Sequence, residues 1–317
     1  MIAVHLEKGA VSLKRTAPPR RGAGQALIRL LRGGICNTDL ELRRGYYDFR
    51  GTPGHEFVGV VEEADDLRWV GRTVVGEINL PCATCGWCLR GLGRHCPRRT
   101  VLGILKQPGA FRELLTLPEA NLRFVPKQVP LEQAVFVEPI AAACEILDQV
   151  AIPKGSEVAV LGDGKLGLLV AQVLALHGAR VHLFGHHRDK IMIAEKVGVK
   201  GQIANTPPRK AYEFVVEATG SAEGLEQAVA MTRPRGTLVM KSTIHGRVSL
   251  DTAPIVVDEI TLVGSRCGRF EPALKLLAQG KLRLDEMICA RYPLSQAPRA
   301  FARAAQRGAL KVLLTNS

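Results

Sequence analysis

Residues 156–167 read SEVAVLGDGKLG. Ser156–Leu161 is a short apolar, β-rich run, predicted to be a buried strand. It enters Gly162-Asp163-Gly164-Lys165-Leu166-Gly167 directly. An apolar helical stretch follows through His177, then a second strand, Arg180–Phe184. This is a βαβ unit with G-x-G-x-x-G at its first turn. The glycines allow a tight turn, close approach of a pyrophosphate, and packing of helix on strand. Amides at the helix start, across Gly164, Lys165, Leu166 and Gly167, are placed to hold phosphates. Glycines that merely make a turn are the competing reading, and the strand–helix context weakens it. The expected fold class is therefore α/β, with a doubly wound parallel sheet in this part of the chain.

The end of the second strand bears on the nucleotide. An acid about twenty residues after the glycine motif normally binds the ribose hydroxyls of NAD. Here the segment reads Phe184-Gly185-His186-His187-Arg188, and no acid appears before Asp189. A small residue followed by basic groups leaves room and counter-charge for a 2′-phosphate, so NADP is expected over NAD. The alternative is an exposed loop in which the histidines have no cofactor role.

Working outward, the eight cysteines fall into two groups. Cys82, Cys85, Cys88 and Cys96 lie within fifteen residues, with spacings of two, two and seven. Four thiolates so close can enclose a tetrahedral zinc and leave no open position, which predicts a structural metal. Reduced surface cysteines and a nucleic-acid-binding knuckle are the competing readings. The second is weakened because Trp87 is the knuckle's sole aromatic residue. Further upstream, Cys36-Asn37-Thr38-Asp39 precedes Gly54-His55-Glu56 by about twenty residues. A thiolate, an imidazole and a carboxylate are the usual ligand types of a catalytic zinc, although a lone Cys or His is more often simply packed.

Composition narrows the classes. A length of 317 residues suggests two domains, and 46% hydrophobic content argues against disorder. The longest apolar stretch, Leu166–Leu176, is too short to cross a bilayer. The first ten residues alternate like a strand and lack a signal-peptide core. No membrane association is expected, and the cytoplasm is the expected location. The net charge of +13 is scattered without long basic runs, so a nucleic-acid partner is not expected.

Together these motifs resemble the zinc-dependent medium-chain dehydrogenase family, its sorbitol/threonine dehydrogenase branch in particular. The resemblance spans essentially the whole chain. It includes the Gly34–Asp39 and Gly54–Glu56 segments, the cysteine lobe, and Val137-Glu138-Pro139. The glycine loop, Glu217-Ala218-Thr219-Gly220 and Gly264-Ser265 complete it. It implies a chaperonin-10-like β-barrel catalytic domain (1–138 and 268–317) interrupted by a Rossmann cofactor domain (139–267), with the active site in the cleft between them. By this resemblance Cys36 and His55 match ligands of the catalytic zinc, Glu56 the carboxylate that ligates directly or exchanges with water, and Glu138 the fourth protein position, where classical alcohol dehydrogenases have cysteine. Asp39 matches the carboxylate that orients a zinc-bound histidine, and Thr219 and Gly264 match cofactor contacts.

The implied activity is hydride transfer between an alcohol or polyol and a nicotinamide cofactor, with zinc polarising the substrate oxygen and Thr38 starting the proton relay. A homodimer or homotetramer is implied too. A zinc-poor reductase or a non-catalytic binding protein on the same fold is the alternative. The chain departs from the pattern at Glu41, where many relatives have a histidine that ends the relay. Glu41 is either a substitute for it or a surface charge. Tyr46, Tyr47 and Phe49 are candidate pocket walls or packed residues. Arg266 and Arg269 are candidate anion contacts or structural ion pairs.

Overall fold

The computed structural model describes residues 1–203, 207–244 and 247–316. The chain divides into two compact units, Met1–Glu138 with Ile288–Ser317, and Pro139–Met287.

The first unit is organised by the strand Gln25–Ile35. Its eleven residues are long enough to pair antiparallel with Glu56–Glu63, Leu114–Pro118 and Lys311–Thr315. The sheet extends from Glu56–Glu63 to Thr73–Gly76 and Leu122–Phe124, and from Lys311–Thr315 to a parallel strand, Ile288–Pro293. Two register shifts against Glu56–Glu63, at Leu27/Ile28 and Leu30/Arg32, bend and twist the central strand. Ala26, Ile28, Leu30 and Ile35 are fully buried beneath it. A three-stranded sheet, Asn79–Leu80 with Thr100–Leu102 and Lys106–Gln107, frames the cysteine lobe.

The second unit is a six-stranded, wholly parallel sheet. Its order is Lys200–Ile203, Arg180–Gly185, Glu157–Leu161, Tyr212–Glu217, Thr232–Met240, Thr261–Gly264. The chain order reverses between Glu157–Leu161 and Tyr212–Glu217. Ligands of such sheets bind outside the carboxyl ends of the strands at that reversal. The helix Lys165–His177 follows the glycine loop and buries Leu168, Leu169, Val170, Val173 and Leu174. Each buried aliphatic side chain contributes roughly 1.5–3 kcal/mol. Gly178, at φ +109°, ends the helix in a left-handed conformation that a side chain would strain.

Several sequence boundaries move. Residues 268–287, assigned above to the first domain, lie within the second unit. Gln172, in the helix after the glycine loop, accepts from Arg283 N at 2.7 Å and lies 3.7 Å from Met287 Sδ. A Cβ at Gly268 would come within 1.8 Å of Ala141 O. The apolar pattern over 131–150 predicts one helix, but the chain forms two, Leu131–Ala134 and Val137–Gln149. Pro139 explains the break: lacking an N–H, it is at home in a first turn, where no donor is needed. Pro298 likewise sits in the first turn of Ala297–Ala304. No helix among the described residues is long and apolar enough to cross a membrane.

Candidate metal and nucleotide sites

The strand Gln25–Ile35 delivers Cys36 to the start of the helix Asn37–Arg43. Beside it, Gly34 pairs with Glu56 on one neighbouring strand and with Leu313 on the other. Asp39 ties the segments together and is fully buried. It accepts from Cys36 N at 2.8 Å and from Gly54 N at 3.1 Å, and its Oδ1 lies 3.5 Å from His55 Nδ1. This is a charge contact rather than a hydrogen bond, since Nδ1 is buried without a hydrogen-bond partner. Burial alone would lower the affinity of the His55 imidazole for a proton. Asp39 and Cys36 reverse this and raise its pKa well above the ordinary histidine value.

The ligand atoms of Cys36, His55 and Glu56 all lie within 4.8 Å of one another. Zinc bonds of about 2.0–2.3 Å set ligand atoms roughly 3.3–3.8 Å apart, so small side-chain movements close this set on an ion. Glu56 Oε1 is buried without a hydrogen-bond partner. A carboxylate oxygen in that position is costly unless a donor or a cation completes it. The donor set and the orphaned oxygen both fit zinc. Glu138, in the first turn of Val137–Gln149, is not part of the close cluster.

Sequence reasoning missed Lys311. Its side chain is 1% exposed, and its ammonium donates to Glu56 Oε2 in a short contact, with the Phe136 ring 5.5 Å away. Burial alone would lower the Lys311 pKa. The charges of Glu56, Cys36 and Glu138 outweigh it and hold the group above the ordinary lysine range. One signal was available: a lone cation in the otherwise apolar stretch Leu310–Leu314. Gly34 makes room for the pair. A Cβ there would approach Glu56 Oε2 and Val135 Cγ1 to 2.6 Å. Gly34→Ala is therefore expected to destabilise the protein by about 1–3 kcal/mol through overpacking. Chemical denaturation measures this, and an unchanged midpoint would contradict the packing argument.

The cysteine lobe has tighter geometry. Sγ separations are 3.9 Å for Cys82–Cys88, 3.5 Å for Cys85–Cys88, 3.7 Å for Cys85–Cys96 and 3.5 Å for Cys82–Cys96. A tetrahedron with zinc–sulfur bonds of about 2.3 Å has edges of about 3.8 Å. All eight cysteines are free thiols. The backbone amide of Thr84, chief among several groups, pulls Cys82 down to about 5. Desolvation and the sulfurs of Cys85, Cys96 and Cys82 push Cys88 up to about 12. Four thiols in this space do not all ionise unaided, and a divalent cation supplies the missing charge. Zinc fits here too. Cys96→Ser is expected to remove one zinc per chain and make the lobe protease-sensitive. Metal analysis and limited proteolysis of the purified variant check this, and full zinc retention would count against the lobe as a metal site.

In the second unit, Gly162, Gly164, Lys165, Leu166 and Gly167 sit at the carboxyl end of Glu157–Leu161. Gly162 has φ +111°, and a Cβ on it would meet Ala218 O at 2.6 Å. A Cβ on Gly167 would meet Gly162 O at 1.9 Å, whereas nothing lies within 4 Å of one on Gly164. Two glycines thus serve packing, and the third presents bare backbone to open space at the start of the helix. Thr219 lies after the Tyr212–Glu217 strand, and its N and Oγ1 both donate to the buried Glu217 at 2.6 Å. Gly264 closes the Thr261–Gly264 strand.

Other candidates are placed differently. Glu41 pairs with Arg44 at 2.6 Å along its own helix, which fits a surface charge better than a relay. Arg269 pairs with Asp148 at 3.1 Å. Tyr46 and Tyr47 have ring centroids 4.1 Å apart, and Tyr47 is exposed. Arg188 is ion-paired to Glu195 at 2.6 Å, and the His187 ring lies 3.0 Å from Asp163.

A unit with two zinc-compatible donor sets, followed by a parallel sheet with a glycine loop at its reversal, describes a zinc-binding dehydrogenase. Comparison with known proteins agrees. Residues 22–127 match the alcohol dehydrogenase GroES-like domain, and residues 166–279 match the zinc-binding dehydrogenase domain. An L-threonine 3-dehydrogenase from Streptomyces avermitilis is 34% identical over 93% of this chain and 93% of its own. An erythritol/L-threitol dehydrogenase from Mycolicibacterium smegmatis is 30% identical over 90% and 88%. The crystal structure of a zinc-binding dehydrogenase from Sinorhizobium meliloti 1021 bound to NADP superposes with a TM-score of 0.90. It is 29% identical over 99% of this chain and 98% of that one. The chain belongs to the zinc-dependent medium-chain dehydrogenase family.

Proposed function

We propose that Cys36, His55 and Glu56 hold a catalytic zinc, with Glu138 completing the set, in an enzyme that exchanges hydride between an alcohol or polyol and a nicotinamide dinucleotide. The observation that carries the reading is the Cys36–His55–Glu56 cluster, with its imidazole and carboxylate buried, braced by Asp39 and Lys311. A zinc ion bound there supplies a Lewis acid that makes a substrate hydroxyl acidic near neutral pH. Thr38 Oγ1 lies 3.9 Å from Cys36 Sγ, within reach of a hydroxyl bound at the cluster. It takes the substrate proton and passes it outward. Asp39 keeps His55 in one orientation. Cys82, Cys85, Cys88 and Cys96 hold a second, structural zinc.

The glycine loop and the first-turn amides of Lys165–His177 receive the pyrophosphate, and Thr219 and Gly264 flank the nucleotide from neighbouring strand ends. The sequence argues for NADP through His186, His187 and Arg188, and the Sinorhizobium meliloti relative carries NADP. His187 and Arg188 have carboxylate partners here, however, so the choice between the two forms turns on how those pairs meet the ribose. The polyol and threonine dehydrogenases among the relatives suggest vicinal diols or a β-hydroxy-amino acid as substrate.

The test combines metal analysis with a panel of polyols, secondary alcohols and hydroxy-amino acids, run with NAD⁺ and NADP⁺. About two zincs per chain and turnover of one substrate class are expected. Zinc only at the cysteine lobe, with no turnover, would favour a binding protein or a zinc-poor reductase.

A further inference from the structure

The loop read as a 2′-phosphate site is built around a carboxylate. Asp163, the middle residue of the glycine loop, reaches across to the end of the neighbouring strand Arg180–Gly185. Its Oδ2 accepts from His186 N at 2.7 Å, from His187 N at 2.6 Å, and lies 3.0 Å from His187 Nδ1. The loop is pinned there by Gly162 N, which donates to Phe184 O at 2.8 Å. A Cβ on Gly185 would fall 2.5 Å from Asp163 Cβ and 2.7 Å from its Oδ2. The Asp163 side chain therefore fills the space that a side chain at the strand end would occupy. That strand-end position is where dinucleotide-binding folds keep the acid that reads the ribose.

The charge is retained. Burial would raise the Asp163 pKa, but the His187 and His186 amides and the His187 ring hold it below the ordinary carboxylate range. Oδ2 is fully engaged, whereas Oδ1 takes no hydrogen bond from a described residue, and a tenth of the side chain stays exposed. Two of the three basic groups are committed: His187 faces Asp163, and Arg188 is drawn along its own helix to Glu195, while the His186 side chain is exposed.

We infer that Asp163 is the specificity residue of the nucleotide site, accepting the ribose 2′-hydroxyl on Oδ1 and repelling a 2′-phosphate, so that the chain takes NAD(H) over NADP(H). This rests on the glycine loop being a dinucleotide site. The acid has moved from the strand end to the glycine loop, and Gly185 is the residue that makes room for it.

The experiment titrates the zinc-replete protein with NADH and with NADPH, following nicotinamide fluorescence or heat. Wild type is expected to bind NADH at least about tenfold more tightly, the scale of one charge-assisted hydrogen bond. Asp163→Asn keeps the shape, removes the charge, and is expected to bring the ratio close to one. The double variant Asp163→Gly with Gly185→Asp returns the acid to the strand end and is expected to restore the NADH preference. Recovery there also shows that the loop still folds, as does an unchanged melting curve. A wild type that prefers NADPH would overturn the inference, as would an Asp163→Asn ratio equal to wild type. Binding of neither nucleotide to wild type would instead overturn the dinucleotide-site reading itself.

Discussion

Cys36→Ser is expected to lower kcat/KM on the order of 10³-fold or more, with zinc content falling from two to one per chain. Serine keeps the backbone at the helix start, so Asp39 can still accept from residue 36 N and Gly54 N. What is lost is the thiolate, the softest of the donors. Oxygen is a poorer partner for zinc in a mixed sulfur–nitrogen set, and the loss should concentrate in kcat rather than in nucleotide binding. The NADH dissociation constant should therefore stay near wild type while turnover collapses. Equal loss of nucleotide affinity would point to general disruption. Retention of two zincs with full activity would remove Cys36 from the metal site.

Lys311→Met is expected to destabilise the zinc-stripped protein by roughly 3–5 kcal/mol, the cost of leaving a buried carboxylate without its counter-charge. Methionine preserves much of the volume beside Phe136, so the effect is electrostatic. Two features make the prediction specific. Adding Glu56→Gln in the Lys311→Met background should recover much of the loss, because the unpaired charge is gone. Zinc should also narrow the gap between wild type and Lys311→Met, because a bound cation supplies compensation that the ammonium otherwise gives. Denaturant midpoints with and without zinc measure both effects. A Lys311→Met protein as stable as wild type in the stripped state would refute the pairing.

The parts legible in the sequence were those whose geometry is local. The cysteine lobe needs one loop of fifteen residues, so spacing alone pointed to four sulfurs brought together, and their separations are 3.5–3.9 Å. The glycine loop was legible because a strand precedes it and a helix follows. Lys311 was not, because its partner lies 255 residues away and a lysine in a strand has many uses. Asp163 occupies a free position in the glycine pattern, and its meaning appears only where the neighbouring strand lacks an acid. The apolar pattern over 131–150 reads as a single helix, and only Pro139 marks where it divides. The domain limit at 268 followed a motif, whereas packing carries residues 268–287 with the second unit.

The position of the strand Lys311–Thr315 has a consequence for how the protein is made. The second unit is one continuous segment, free to fold as soon as its residues leave the ribosome. The first cannot, because its central strand pairs Gly34 with Leu313. At about 5–20 residues per second, that edge waits roughly 15–55 s for its neighbour. Throughout that interval the Arg32–Ile35 edge is exposed to mispairing with other nascent chains, Gln25–Arg29 being covered earlier by Leu114–Pro118. Glu56 meanwhile has no lysine to meet, so the Cys36–His55–Glu56 cluster is among the last features of the molecule to form.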